Sequence, residues 1–208
     1  MKQRTDGSVN KTCLIVVDAQ VDFCEGGSLA VAGGNEVCEA IAAHLKGHWE
    51  AYDLIVFTKD WHQEPPHTNG GHFSDTPDFV DSWPVHCVAY SRGANNHNAV
   101  FEASLKLEAL QKCSFKPKTH IFYKGYGRPD YSGFQGVSEA DDCLDVFLRS
   151  KAIDRTYLTG IAGDYCVKQT ALDAKRYGYD VKFLKPFIAS VGGPEATEAA
   201  IREVELTR

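Results

Sequence analysis

No stretch of this sequence is apolar for long. The longest aliphatic run, Leu14 to Val17, is four residues, where a membrane-spanning helix needs about 20. The first residues, Met1 to Asn10, are polar and lack an apolar signal-peptide core. Membrane insertion and secretion are not expected, and the expected location is the cytoplasm. Basic charge is also scarce. Lys and Arg number 22 against 28 Asp and Glu, a formal net charge of −6. No basic stripe offers a track for nucleic acid. The seven cysteines include no CxxC pair, and their odd number leaves at least one thiol free. A disulfide framework is therefore not expected in a chain of this size. P-loop, GxGxxG, GxSxG and HExxH patterns are all missing, which removes the main support for phosphate-binding, serine-hydrolase and zincin readings.

What is present suits one well-cored domain. The chain has 208 residues, 43% hydrophobic and 24% charged, without internal repeats or a linker that would divide it, so a single domain over 1–208 is expected, with 1–10 as a flexible tail. Short apolar runs at 12–17, 54–58, 120–123, 156–159 and 181–184 read as strands buried on both faces. Helical patterns lie at 35–46, at 139–150 after the N-cap candidate Ser138, at 166–177 before Gly178, and at 194–204 with Pro194 in the first turn. This alternation predicts a three-layer α/β fold with a parallel sheet. Two stretches, 60–98 and 125–136, are too long and too rich in His, Gly, Pro and aromatics to be simple connections.

Ligands of open parallel sheets bind beyond the carboxyl ends of the strands, so the residues that follow each run carry the functional signal. Asp18 follows the first run, Asp60 and His62 the second, Lys124 the third, and Cys166 the turn after the fourth. A thiol at a helix start is biased towards the thiolate, and nearby N–H groups suit an oxyanion. A free Cys is also commonly a small buried core residue, and position alone does not choose between the two. Asp18 and Lys124 arriving at the same edge favour catalysis: a carboxylate to take the thiol proton and a cation to stabilise both anions. Asp60 and His62, two apart, with a later loop histidine (His67, His72, His86 or His97), make a plausible set for Zn²⁺, Fe²⁺ or Mn²⁺. Phe23, Trp83, Tyr126 and Tyr131 are placed to line a flat pocket or simply to pack the loops.

Taken together, the segments Asp18-Ala19-Gln20-Val21-Asp22-Phe23, Asp60-Trp61-His62, Ser82-Trp83-Pro84-Val85-His86-Cys87, Phe122-Tyr123-Lys124-Gly125 and Gly160-Ile161-Ala162-Gly163-Asp164-Tyr165-Cys166-Val167 resemble the motifs of nicotinamidases, also called pyrazinamidases, within the isochorismatase-like cysteine hydrolases. The resemblance runs from about Cys13 to the C-terminus. It implies a six-stranded parallel sheet flanked by helices. It assigns Asp18, Lys124 and Cys166 as catalytic triad, the backbone N–H groups of Ala162 and Cys166 as oxyanion hole with a cis peptide between Ile161 and Ala162, and Asp60, His62 and His86 as ligands of one divalent metal ion, zinc first and iron or manganese as alternatives. His72 matches a histidine that is a ligand in some members. Phe23 and Trp83 match the residues that sandwich a pyridine ring, and Tyr131 is placed with them.

The implied reaction is hydrolysis of nicotinamide to nicotinate and ammonia through a Cys thioester, in NAD salvage. The implied partner is that small molecule alone, with no nucleic acid and no membrane; homo-oligomerisation is left open. Tyr165 departs from the pattern, since many bacterial relatives carry His before the nucleophile, and the 95–117 segment is longer than in compact members. The metal set argues against a vinyl-ether or carbamoyl hydrolase of the same superfamily, and the intact triad argues against a non-catalytic metal-binding protein.

Overall fold

The computed structural model describes residues 10–111 and 119–207. Five strands, β1 (Lys11–Val17), β2 (Leu54–Asp60), β3 (Thr119–Lys124), β4 (Ile153–Ile161) and β5 (Asp180–Ala189), pair in parallel in the order β3-β2-β1-β4-β5. The helices are α1 (Gly34–His48), α2 (Asn98–Gln111), α3 (Leu144–Ser150), α4 (Lys168–Arg176) and α5 (Gly193–Leu206). No helix among the described residues is long and apolar enough to cross a membrane.

The period of two along β1 distributes the core to both faces of the sheet. Leu14 and Val16 pack with Cys38, Ile41 and Leu45 of α1 and with Val100, Ala103 and Leu107 of α2. Cys13, Ile15 and Val17 pack with Leu144 and Leu148 of α3, Ala171 and Ala174 of α4, and Ile201 and Val204 of α5. Each side chain of β1 from Cys13 onward is buried, which is why this strand reads as an unbroken apolar run.

The three-layer α/β architecture is the expected one, with five strands among the described residues where six were implied. The sixth came from the resemblance alone, and the five apolar runs account for all five strands. Helix α2 lies inside the 95–117 segment that carried no assignment; the part beyond residue 111, with Cys113, falls outside the described residues, as does nearly all of the 1–10 tail. The 139–150 helix starts later, at Leu144. Val137 bridges to both Tyr123 and Cys143, and the Ser138 hydroxyl accepts from the N–H groups of Ala140 and Asp142, so the serine closes a turn and Cys143 stands at the helix N-cap. The six described cysteines are all free.

One backbone position decides how closely β1 and β4 approach at their functional ends. Gly160 pairs with Val17 at φ +118°, and a Cβ there would lie 1.9 Å from the Val17 carbonyl oxygen. The next residues along the two strands lead to Asp18 and Cys166. Gly160→Ala is expected to cost about 3 kcal/mol or more, combining overpacking and backbone strain of roughly 1–3 kcal/mol each. Urea unfolding measures it, and an unchanged midpoint would show that the strands part here without penalty.

Candidate active site

The carboxyl ends of β1, β2, β3 and β4 deliver four reactive side chains to one buried point. Asp18 leaves β1 in the left-handed region, φ +44°, which Asp tolerates better than most residues. Its N–H donates to the Thr58 carbonyl at 3.2 Å, and its Oδ1 accepts from Thr58 Oγ1 at 2.7 Å. Lys124 ends β3 directly opposite Asp60, the last residue of β2. The Lys124 ammonium pairs with Asp18 Oδ2 at 2.9 Å and, in a short contact, with Asp60 Oδ1. It also donates to the Asp130 carbonyl at 3.3 Å and lies 3.6 Å from Cys166 Sγ. Asp18, Asp60 and Cys166 each offer an atom within 4.8 Å of the other two.

Burial and Coulomb forces oppose each other here, and the outcome differs by residue. Burial pushes Asp18 above the usual carboxylate range, opposed by Lys124 and reinforced by Asp60. Burial also pushes the Cys166 thiol well up, with Lys124 again opposing and Asp18 adding to it. Asp60 goes the other way: burial works against its charge, but Lys124 together with His62 and His86 holds it well below the usual range. Burial works against the Lys124 charge as well, and Asp18, Asp60 and Cys166 overcome it, so the ammonium stays charged. The result is a fixed Lys124–Asp60 ion pair beside Asp18 and Cys166, a carboxyl and a thiol that are both raised and both stabilised as anions by the same ammonium.

Cys166 is displaced from the simple helix start that the sequence predicts. Gly163–Val167 forms one wide helical turn of π type, and α4 follows from Lys168; such turns recur at functional sites. The Ile161–Ala162 peptide is cis.

On the other side of Asp60 stands a histidine cluster. His62, His72 and His86 are all buried, with one ring nitrogen of each within 4.8 Å of the others. Asp60 Oδ2 is 3.7 Å from both His62 Nε2 and His86 Nε2. The second ring nitrogens show how two of these rings are aimed. His62 Nδ1 bonds the Gly125 carbonyl at 2.8 Å and His86 Nδ1 the Pro84 carbonyl at 2.7 Å. A carbonyl only accepts, so each Nδ1 carries a proton, which leaves Nε2 as the ring nitrogen that can bind a cation. His62 Nε2 and His72 Nδ1 are buried without a hydrogen-bond partner. Burial and the neighbouring His62 push the His72 pKa down to about 3, leaving a neutral imidazole. Orphaned ring nitrogens, three imidazoles and one carboxylate are the donor set of Zn²⁺, Fe²⁺ or Mn²⁺, so the residues fit a metal ion. His67 and His97 spend their Nδ1 atoms on the N–H groups of Asn69 and Ala99 and stand outside the cluster. Gly125, at φ +87°, is required by this packing, because a Cβ would lie 2.5 Å from His62 Cε1.

Both groups open on one pocket. Asp60, His72 and His86 line it together with Ala162 and Cys166, the rings of Phe23, Trp83, Tyr131 and Tyr165, and the aliphatic Leu29, Val31 and Val191. Trp83 Nε1 donates to Tyr131 Oη at 3.0 Å. Tyr126 is 61% exposed and does not line the pocket. Several contributors escaped the reading of the sequence. Thr58, which holds Asp18, shares a face of β2 with Asp60, and that spacing of two was a usable signal. Asp22 accepts from the N–H groups of Cys87 and Ser28 and so ties the Phe23 turn to the His86 loop. Nothing local marks that contact, nor the aliphatic wall residues.

A model of the isochorismatase domain matches residues 12–207. The chain belongs to the isochorismatase family. Within that family, the nicotinamidase/pyrazinamidase of Mycobacterium tuberculosis is 42% identical over 191 residues, covering 92% of each chain. Among solved structures, the pyrazinamidase of Pyrococcus horikoshii in complex with zinc is 33% identical, with a TM-score of 0.70 over 94% of each chain. Yeast nicotinamidase bound to the inhibitor nicotinaldehyde is 25% identical, with a TM-score of 0.74 over 93% of this isochorismatase-family chain and 95% of its own.

His62→Ala and His86→Ala are each expected to lose most bound metal after dialysis, read by elemental mass spectrometry. Gly125→Ala, which displaces the His62 ring, should weaken metal retention about 10–100-fold, the usual effect of disturbing a ligand's support. Full metal content in both histidine variants would move the ligand assignment to other side chains.

Proposed function

We propose that this chain is a nicotinamidase, hydrolysing nicotinamide and pyrazinamide-type analogues to the acid and ammonia through a thioester at Cys166, with all of its machinery in one domain. One observation carries the reading. A single pocket is lined by Cys166, by Asp60, His72 and His86 of the metal-type cluster, and by the aromatic rings of Phe23, Trp83 and Tyr131. A planar ring that bears both a carboxamide and a basic nitrogen matches that set of groups. The relatives named nicotinamidase support it.

Asp60, His62 and His86, with His72, would hold one divalent ion, zinc in the first place, which supplies a Lewis-acid contact that orients the ring. The chain's own groups perform the chemistry. Asp18 accepts the Cys166 proton, and the sulfur adds to the carboxamide carbon. The carbonyl oxygen becomes an oxyanion facing the N–H groups of Ala162 and Cys166. Asp18 returns its proton to the amide nitrogen, the C–N bond breaks, and ammonia leaves a thioester. Water then adds to the thioester carbon while Asp18 takes one of its protons. The C–S bond breaks, the acid departs, and the proton goes back to sulfur. Lys124 stays protonated throughout and stabilises whichever of Asp18 or Cys166 is the anion. Phe23, Trp83 and Tyr131 hold the ring so that the carboxamide reaches the sulfur.

The direct test is ammonia release from nicotinamide by metal-loaded protein, with and without a chelator. Turnover that the chelator suppresses is expected, together with loss of turnover in Cys166→Ala at an unchanged fold by circular dichroism. No ammonia from the metal-loaded wild type would refute the assignment, and normal turnover in Cys166→Ala would remove the covalent route.

Lys124→Met is expected to lower kcat by about 10²-fold or more while ring binding suffers less, assayed at saturating metal because Asp60 also loses its partner. The sign of the pH effect follows from the shifts. Burial raises both Asp18 and Cys166, and Lys124 is a cause that lowers each. Removing it raises both further, so the deprotonated pair forms at higher pH and the acidic limb of kcat/KM moves alkaline. Stability should fall by about 3–5 kcal/mol, the usual cost of stripping one partner from a buried ion pair. A near-normal kcat with an unshifted limb would assign Lys124 a structural role only.

A further inference from the structure

The 74–82 loop leaves the pocket wall after His72 and Phe73 and returns to it at Trp83. Its ends are tied at the base: Trp83 N–H donates to the His72 carbonyl at 2.8 Å, and Ser74 N–H to the Trp83 carbonyl at 3.0 Å. One bridge therefore carries a histidine of the metal cluster and an aromatic wall of the pocket. At the far end Asp78 Oδ1 accepts from the N–H groups of Val80, Asp81 and Ser82 and from Ser82 Oγ, all at 2.9–3.0 Å. This stapled turn forces Phe79 into the left-handed region, φ +59°, a conformation that costs a bulky residue energy and persists only where surroundings over-determine it. The carbonyl of that strained residue accepts from Tyr165 Oη at 3.3 Å. The rings report the same grip. Tyr165 stands perpendicular to Trp83 at 5.0 Å and 90°, and Phe79 does so at 6.2 Å and 87°.

We propose that Tyr165 is a positioning residue: its hydroxyl latches the 74–82 loop through Phe79 and so holds Trp83 in the orientation that receives the substrate ring. The inference rests on the amidase reading of the same pocket. The hydroxyl spends its one proton on the Phe79 carbonyl, so it has none for the leaving group. Its effect therefore falls on ring binding and not on bond breaking. Because the nucleophile is the next residue, the same backbone segment sets the sulfur and secures the ring's wall.

The test compares metal-loaded wild type, Tyr165→Phe, Asp78→Ala and the double variant. Tyr165→Phe keeps the ring and removes one hydrogen bond, so KM for nicotinamide should rise about two- to tenfold with kcat nearly unchanged. Amide hydrogen exchange across 74–83 should accelerate by a similar factor. Asp78→Ala should reproduce both effects from the other side of the turn, and the double variant should add little, since both changes release the same loop. A wild-type KM and unchanged exchange in Tyr165→Phe, or full additivity in the double variant, overturns the latch. If wild type releases no ammonia from nicotinamide, the amidase reading fails by itself, and exchange across the loop still decides whether the latch exists.

Discussion

Lys124 brings one positive charge to a place where two carboxylates and a thiol are shut away from water. Burying Asp18 and Asp60 a few ångströms apart would be prohibitive without a partner, because each isolated buried anion costs several kcal/mol and the pair would repel. The ammonium touches both carboxylates and stands within reach of the sulfur. Its placement is a matter of backbone register: β3 pairs with β2 so that Lys124 and Asp60 are directly opposite. The thiol chemistry and the histidine cluster are thus one electrostatic unit, joined at Asp60, whose two oxygens face different neighbours. Oδ1 meets the ammonium, and Oδ2 meets the imidazoles.

Around that unit, orientation is supplied by main chain. Two histidine tautomers are chosen by the carbonyls of Gly125 and Pro84, and Asp18 is held by both the carbonyl and the hydroxyl of Thr58. Such supports keep reactive groups from relaxing when the environment changes, which is the physical content of preorganisation. They also explain why a small chain can place so much buried polarity at one sheet edge: Asp18 and Asp60 share the Lys124 ammonium, and the orphan nitrogens of His62 and His72 are those that fit a cation.

How much of this was legible in the residues varies with the kind of contact. Strands β1 and β4 are visible because they are buried on both faces and must be apolar throughout. The end of β2 was harder, since Lys59 and Asp60 look like loop residues yet complete the strand as buried side chains. Helix α2 went unassigned although Val100, Ala103 and Leu107 make a buried stripe; exposed Phe101, Leu105 and Leu110 blur the contrast between its faces. Asp18, Lys124 and Cys166, and the candidate ligands Asp60, His62 and His86, were accessible because each follows a strand or lies in an anomalous loop. The Lys124–Asp60 pair, the Asp22 tie and the Tyr165–Phe79 contact were not. They join segments far apart in sequence, and no local pattern encodes which distant atom a side chain will meet.

The sheet order also governs when the site can exist during folding. β1 sits between β2, its neighbour in sequence, and β4, whose pairing runs from Lys11↔Ile153 to Val17↔Gly160. The first pairing closes a short loop; the second must gather well over half the chain before it is rewarded. On a growing polypeptide the acid, the imidazoles and the ammonium emerge ahead of the thiol, so the cation-holding half has its residues before the nucleophile has been synthesised. The sulfur then arrives last, as β4 docks along β1, and joins a charge arrangement whose other members are already available. Turnover recovered during refolding accordingly reports the long-range pairing of β4 with β1, without which the sulfur does not reach Asp18 and Lys124.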